Sequence, residues 1–471
     1  MIDPFLLAHQ VAPLSFEIGG VLSPVSIRDQ MIRGRWIIDR LLEAGLIASG
    51  QKLLIIGAGA AGATAAIEGA AQGIRVTLID TAPAPFLRQA GCSSRWVDPT
   101  QYDWPVDHWT NSRFPWTSPP MPLGWIAGRA NMLAMSWWLA LTAARLNDPA
   151  ALDLRFNTGL AGFPNLISRK GSDELEASFT SSASKEYFKI AVSTVGFGTE
   201  KTSLGTFSSY RFWDTDPLER SDYGLQPKKS QRILISGGGD GSLQDFIRVS
   251  TTAHSARQVY DALPLMPALR AALESAIQSA EDQAERAYLW GTPGNLSSPA
   301  RDHAIHERLH QAFVSQVDVI AGYPVIWPRV MAALSKIVRP SGTADIVLVY
   351  PCGHFDRCYA LNRFLVLLLA KFYQVTRGTR VLYPNVKVSG VTGVTHGCAN
   401  DPAACYGKTH DVSFNASACY GFPSPASMTY PGSDHEIVLL RHGITPPASV
   451  YRPLAVSIQF PRQIMPYYSP W

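Results

Sequence analysis

Apolar residues fall into two rhythms along this chain, short unbroken runs and longer stripes at helical spacing. Their alternation predicts an α/β fold built on parallel strands. Residues 53–56, 76–79, 190–195, 233–236 and 345–350 read as buried strands, and shorter ones are expected at 381–383, 386–388 and 437–440. Helical stripes cover 26–48, 129–146, 267–290, 300–317 and 359–374. In the first stripe Ile27, Met31, Ile38, Leu41, Leu42 and Leu46 form an apolar face, while Ser26 and Asp29 have the spacing of a capping box. Arg28, Arg33, Arg35 and Arg40 take the remaining positions, so this helix is expected to pack on the domain or on a subunit neighbour, which leaves a homo-oligomer open. Residues 81–128 are loop-dominated and carry Trp96, Tyr102, Trp104, Trp109, Phe114, Trp116 and Trp125, a segment able to cover a planar cofactor. Serine-rich residues 166–186 read as a hairpin region.

The chemistry concentrates where a strand meets glycine. Residues 52–80, KLLIIGAGAAGATAAIEGAAQGIRVTLID, form a strand, a G-x-G-x-x-G turn at Gly57, Gly59 and Gly62, a helix, and a second strand ending at Asp80. Gly57 permits the tight turn, Gly59 lets a pyrophosphate approach the backbone, and Gly62 lets helix and strand pack closely. Ala60 and Ala61 open the helix and offer backbone N–H groups, at the positive end of its dipole, to phosphates. Asp80 stands where a carboxylate can accept hydrogen bonds from a ribose. A second turn follows the strand at 233–236, with Gly237, Gly239 and Ser242 in G-x-G-x-x-S order and Asp240 inside it, 180 residues after the first. Its downstream pattern is poorer. Phe246 takes the place of a small helix residue, and no second strand ends near Asp261.

The pattern from Lys52 to Asp80 resembles the FAD-binding fingerprint of flavoprotein oxidoreductases with two dinucleotide-binding domains, flavin monooxygenases among them. The resemblance implies FAD at the first turn and NAD(P)H at the second, whose third glycine such proteins often replace by a small residue. The implied fold is α/β, with two Rossmann-like domains, an N-terminal helical extension and an irregular α+β C-terminal region. Boundaries are expected at 1–50 for the extension, 51–230 for the FAD domain and 231–330 for the NAD(P) domain. Residues 331–471 would complete the FAD domain and the substrate site, although they lack the Gly-Asp strand end that contacts flavin in such proteins. NAD(P)H would pass hydride to the flavin, and the electrons would go on to oxygen, as in a monooxygenase, or to another acceptor.

Two catalytic candidates lie between the turns. Cys92, 30 residues after Gly62, suggests a single-cysteine flavin reductase, set against a partly buried loop thiol. Trp96 opens a stretch, Trp96 to Tyr102, that loosely resembles the aromatic segment of Baeyer–Villiger and N-hydroxylating monooxygenases. It could stack on a flavin or belong to the core. A non-catalytic NAD(P)/FAD-binding redox sensor is a third reading. The small-molecule substrate cannot be read, because such pockets are built from scattered loop residues.

Composition narrows the setting. With 471 residues, 46% hydrophobic and 17% charged, the chain is globular and of two- or three-domain size; a net charge of +4 gives no reason to expect a nucleic-acid or membrane partner. The opening MIDPFLLAHQ lacks the basic start and apolar run of a secretory leader, and the apolar run 364–370 is closed by Arg363 and Lys371. A cytoplasmic protein is expected, with Asn295-Leu296-Ser297 unglycosylated and Cys92, Cys352, Cys358, Cys398, Cys405 and Cys419 reduced.

Three motifs are set aside. His306-Glu307-Arg308-Leu309-His310 spells H-E-x-x-H, and His303 extends it at i, i+3, i+7. Arg308 adds a cation there, and no glutamate lies between Glu307 and Glu436 as a nearby third ligand, so a solvated helix face and no metal are expected. Arg441-His442-Gly443 resembles the R-H-G of histidine phosphatases, but only residues 444–471 follow it, so it reads as a strand end. Residues 196–202 resemble a phosphate loop spoiled by Glu200 before Lys201, and fit better as the segment leading from the first domain to the second.

Overall fold

The computed structural model describes residues 3–19, 26–106, 113–114, 121–161, 166–168, 173–216, 218, 231–289, 299–340, 344–356, 358–393, 409–417, 419 and 434–445. The chain opens with α1 (Pro4–His9), the antiparallel strands β1 (Gln10–Ala12) and β2 (Ser15–Gly19), and α2 (Ile27–Glu43). Then come β3 (Lys52–Ile56), α3 (Ala60–Ala71), β4 (Arg75–Ile79), α4 (Ala130–Asn147) and β5 (Leu152–Arg155). An antiparallel sheet of β6 (Leu166–Ser168), β7 (Leu175–Phe179) and β8 (Ser182–Phe188) leads to β9 (Ile190–Gly196). The main sheet runs β1-β2-β9-β3-β4-β5. Leu53, Leu54 and Ile55 are buried on both of its faces, as expected of a central parallel strand.

A second sheet follows. β10 (Gln231–Ser236) leads into α5 (Asp240–Ser250), α6 (Ala256–Asp261), α7 (Pro267–Leu289), α8 (Pro299–Gly322) and α9 (Ile326–Ile337). Next are β11 (Ala344–Tyr350), α10 (Ala360–Arg377) and β12 (Leu382–Pro384). The antiparallel strands β13 (Val386–Thr392), β14 (His410–Ala416) and β15 (Asp434–His435) precede β16 (Ile437–Leu440). The parallel sheet runs β12-β11-β10-β16.

The two sheets share a topology. In each, the first strand is flanked by the second and by the last, in the 3-2-1-4 order of a doubly wound nucleotide-binding fold, and a three-stranded antiparallel sheet precedes the last strand. The correspondence reaches single hydrogen bonds. Gly57 N–H donates to Ile79 O at 2.8 Å and Gly237 N–H to Val349 O at 2.9 Å; Phe86 N–H donates to Ala58 O at 3.1 Å and Asp356 N–H to Gly238 O at 3.0 Å. This repeat was invisible in the sequence beyond the glycine turns. The helices α6 to α9 stand between α5 and the second strand of the second unit, which is why no strand ends at Asp261.

Two boundaries need correction. Residues 1–50 are more than a helical extension, because β2 pairs in parallel with β9 and α2 packs along α3. Among the described residues none after 330 joins the first sheet: β11, β12 and β16 complete the second. The units join where Thr199–Glu200 pairs antiparallel with Ile444–Thr445, so residues 196–202 do lead toward the second unit. Arg441 to Gly443 follow β16 directly, at a strand end.

α2 carries the expected capping box, with Ser26 Oγ accepting from Asp29 N–H and Asp29 Oδ2 from Ser26 N–H. Of its arginines, Arg28, Arg33 and Arg35 are buried and Arg40 is exposed. Residues 364–370 lie in the buried α10. No single helix among the described residues is long and apolar enough to cross a membrane; α8 and α9 pass that test only as a pair bent by 104°. Trp109, Trp116, the sequon at 295–297, Cys398 and Cys405 lie outside the described residues.

Candidate functional site

The first glycine turn joins β3 to α3. Gly57 has φ +106°, and a Cβ there would lie 2.7 Å from Thr194 O; a Cβ on Gly62 would lie 1.9 Å from Gly57 O. Both positions therefore need glycine, one for backbone conformation and contact, the other for helix–strand approach. Gly59 differs. Its φ is −76°, and a Cβ there would meet nothing within 4 Å. Among the described residues no side chain caps α3, so its first N–H groups at Ala60 and Ala61 lack a side-chain cap hydrogen bond. Asp80 Oδ2 accepts from Ala58 N–H at 2.6 Å and Oδ1 from Ala82 N–H at 2.7 Å, which fixes the carboxylate against the turn. Each oxygen retains a lone pair for a ribose hydroxyl. These residues fit the ADP half of FAD. α2 crosses the same helix end, since a Cβ on Gly34 would lie 2.4 Å from Ala61 O.

The second turn joins β10 to α5 and is more enclosed. Gly237 has φ +145°, and a Cβ there would lie 2.4 Å from Arg441 O; a Cβ on Gly239 would lie 3.7 Å from Asp356 O, an ordinary contact. Ser242 Oγ donates back to Gly239 O at 2.6 Å. Tyr350 follows Val349 as Asp80 follows Ile79, so a buried phenol stands where the first unit has its carboxylate. Asp240 takes the place of Ala60, and its carboxylate is held by the start of α10. Oδ1 accepts from Tyr359 N–H at 3.0 Å and Asn362 Nδ2–H at 2.8 Å, and Oδ2 from Gln244 Nε2–H at 2.5 Å. Burial raises the Asp240 carboxyl to about 6, against the lowering effect of those donors.

One turn into α5, Asp245 is fully buried among three guanidinium groups: Arg95 at 3.0 Å, Arg248 at 2.8 Å and Arg441 at 2.7 Å. Burial opposes the charged form, but Arg441, Arg248 and Arg95 together hold this carboxyl well below its ordinary range. Arg95 belongs to the first unit, so the cluster also joins the two. Tyr359 makes a further joint, with its hydroxyl donating to Asp29 of α2 while its amide donates to Asp240.

Cys92 is fully buried in the core of the first unit, its sulfur 3.7 Å from Asp214 O. Trp96 is half-buried and stacks on His254 with ring centroids 4.8 Å apart. The expectation of six reduced thiols is overturned, because Cys352 and Cys419 form a disulfide; Cys92 and Cys358 are free.

The H-E-x-x-H residues lie on α8 but do not converge. His306 Nε2 is 2.9 Å from Asp356 Oδ1, and the His310 ring packs edge-on against Phe355. His303 turns instead to His354 and Cys419. That grouping escaped sequence reading because its members lie 51 and 65 residues apart, on α8, after β11 and after β14.

No curated protein matches the chain. Among solved structures, T. acidophilum thioredoxin reductase is 14% identical over 85% of this chain and 80% of its own, with a TM-score of 0.38. A cyclohexanone monooxygenase mutant from Rhodococcus sp. Phi1, bound to NADP+, is 11% identical over 84% of this chain and 72% of its own, with a TM-score of 0.32. Likenesses of this size carry no argument about reaction. Residues 52–175, which hold the first glycine turn and Asp80, match the family described as FAD dependent oxidoreductase.

Proposed function

We propose that this chain is an FAD- and NAD(P)H-dependent oxidoreductase that holds the ADP half of FAD at Gly57, Gly59, Ala60, Ala61, Gly62 and Asp80, and NAD(P)H at Gly237, Gly239 and Ser242. The observation that carries this reading is the open face at Gly59 beside an α3 start that no side chain caps. Backbone N–H groups of the first turn of α3 bind phosphate oxygens there, and Asp80 accepts from the ribose. FAD, when bound, supplies a two-electron carrier between the nicotinamide and the final acceptor. The chain's own task is to orient the two ring systems and keep water from them.

The repeat of strand order and turn hydrogen bonds supports a nucleotide at the second turn, whereas Asp240 and Tyr350 weigh against a tight one. Asp240 is accordingly assigned to fastening α5 to α10, not to the cofactor. The buried sulfur of Cys92 favours a packing role over a redox one, so the monooxygenase version stands ahead of the single-cysteine reductase.

Absorption spectroscopy tests the reading. Protein reconstituted with FAD should show the bound-flavin spectrum and bleach on anaerobic addition of NADPH or NADH. A colourless protein that cannot be reconstituted would sink the flavoenzyme reading; a flavin that neither nucleotide bleaches would remove the second site and leave a sensor or a differently reduced flavoenzyme. Cys92→Ser should keep full turnover.

A further inference from the structure

At the carboxyl end of β11, beside the second glycine turn, four groups from separated parts of the chain meet. His303 comes from α8, Cys352 and His354 from the segment after β11, and Cys419 from the segment after β14. His303 Nδ1 lies 2.9 Å from His354 Nε2, and Cys419 Sγ lies 3.6 Å from the first and 3.7 Å from the second. Cys352 is joined to Cys419. His354 and Cys419 are buried, and His303 is half-buried.

The outer nitrogens of both rings face oxygen atoms. His303 Nε2 is 3.7 Å from the Glu307 carboxylate, and His354 Nδ1 is 3.4 Å from Phe355 O. With protons on these outer nitrogens, both inner nitrogens turn lone pairs toward each other across 2.9 Å, where one shared proton closes a hydrogen bond and a metal ion can take that proton's place. Metal-binding histidines are oriented in this way, with the outer N–H on a carboxylate or a backbone carbonyl. A tetrahedral zinc ion, with Zn–N about 2.0–2.1 Å and Zn–S about 2.3 Å, separates its nitrogen and sulfur ligands by about 3.6 Å. The two observed N···S distances match that edge; the N···N distance is shorter than the corresponding edge of about 3.3 Å. Two of the three distances among His303, His354 and Cys419 are therefore in place before any metal enters.

We propose that reduction of Cys352–Cys419 creates a Cys2His2 zinc site with His303 and His354, so that this corner exists in two exclusive forms, disulfide or zinc-bound. The redox step takes two electrons and two protons from a small dithiol, which becomes its own disulfide while the Cys352–Cys419 bond opens to two thiols. Zinc then displaces one proton from each thiol, and both protons leave to water. The Asp356 amide, which donates to Gly238 O, and its carboxylate, which contacts His306, tie the site to the second glycine turn.

The test uses the full chain and zinc ion alone. Protein is prepared oxidised or fully reduced under anaerobic conditions, loaded with zinc, desalted and assayed for metal. The reduced form should retain about one zinc per chain and the oxidised form less than about a tenth of that, and zinc should protect Cys352 and Cys419 from alkylation. Cys419→Ser and His303→Asn should each weaken retention by about 10-fold or more, in line with what disturbed metal shells show. The half-buried His303 provides a variant whose folding, checked by circular dichroism, does not depend on the disulfide. Equal retention by oxidised and reduced protein, no retention by reduced protein, or full retention by folded His303→Asn would each overturn the proposal. None of these readouts depends on flavin binding.

Discussion

The two glycine turns share strand order, backbone hydrogen bonds and positive-φ first glycines, yet they are finished differently. At the first, the helix start faces open space and a carboxylate is pinned beside it by two backbone amides. At the second, the corresponding positions hold Tyr350 and Asp240, and Arg441 runs along the helix to a buried ion cluster. A shared turn therefore sets the route of the backbone, while the residues around it decide what the turn can bind. The first leaves its helix start without a side-chain cap, and the second is closed largely by the protein's own side chains.

The largest effect should come from the cluster that closes the second turn. Asp245→Asn takes the shared carboxylate from the side chains of Arg95, Arg248 and Arg441, all almost wholly buried, while Asp216 stays on Arg248. Breaking such a buried ionic group costs about 3–5 kcal/mol. The expected result is that much loss in chemical unfolding at pH 7, with FAD still bound by the first unit. Because the folded-state pKa lies below the unfolded one, this stabilisation is complete above about pH 4 and fades as the pH falls further. The variant should lose that acid limb. A loss under about 1 kcal/mol, within the range of an exposed ion pair, would mean the cluster is not what holds α5.

How far the comparison could be read beforehand follows from the range of the forces involved. The strands at 53–56 and 76–79, and the helix between them, are local patterns with local punctuation, Gly57 to Gly62 at one end and Gly73 at the other, and they stand where the pattern put them. The hairpin region at 166–186 was legible from its polar, serine-rich composition, and the strand at 345–350 and the helix starting at 360 from their continuous apolar runs. Strands 10–19 and 410–416 were not. The first pair is short, and β14 alternates buried and exposed positions weakly among polar residues, so both depend on sheet partners far away in sequence. The repeat was hidden because four helices separate α5 from β11. The closing residues Tyr350 and Asp245 carry no motif, and Arg441 stands only in the R-H-G read as a strand end; folding alone brings the three to the second turn.

Substituting the middle glycine of each turn gives the sharper, smaller test. Gly59→Ala introduces no clash and no backbone strain, so its stability should match wild type, but its methyl fills the space a pyrophosphate would need. Losing one or two charge-assisted hydrogen bonds corresponds to about a 10- to 100-fold weaker FAD affinity. Gly239→Ala should leave FAD binding unchanged and weaken NAD(P)H instead. FAD titration by fluorescence quenching reads both. A Gly59→Ala protein that binds FAD as tightly as wild type would place the pyrophosphate elsewhere.

The smallest effect belongs to Asp240, and it separates fastening from binding. Its carboxyl is raised to about 6 in the fold, mainly by burial, from an ordinary value of 3.8. The folded state therefore holds a proton that the unfolded state has lost between those values, and its contribution to stability falls as pH rises from about 4 to about 6 and is level above. Asp240→Asn should remove that slope. The asparagine carbonyl keeps the bonds from Tyr359 N–H and Asn362, and a turn of the Gln244 amide lets it accept from the new NH2 group. At pH 8 the variant also lacks a negative charge in the first turn of α5, worth about 0.3–1 kcal/mol to an incoming anion, or about 2- to 5-fold in affinity. Tighter NAD(P)H binding would show that the phosphates approach α5 and that Asp240 restrains them. Unchanged binding with a flattened pH profile would keep Asp240 as a fastener and take the nucleotide away from the second helix start.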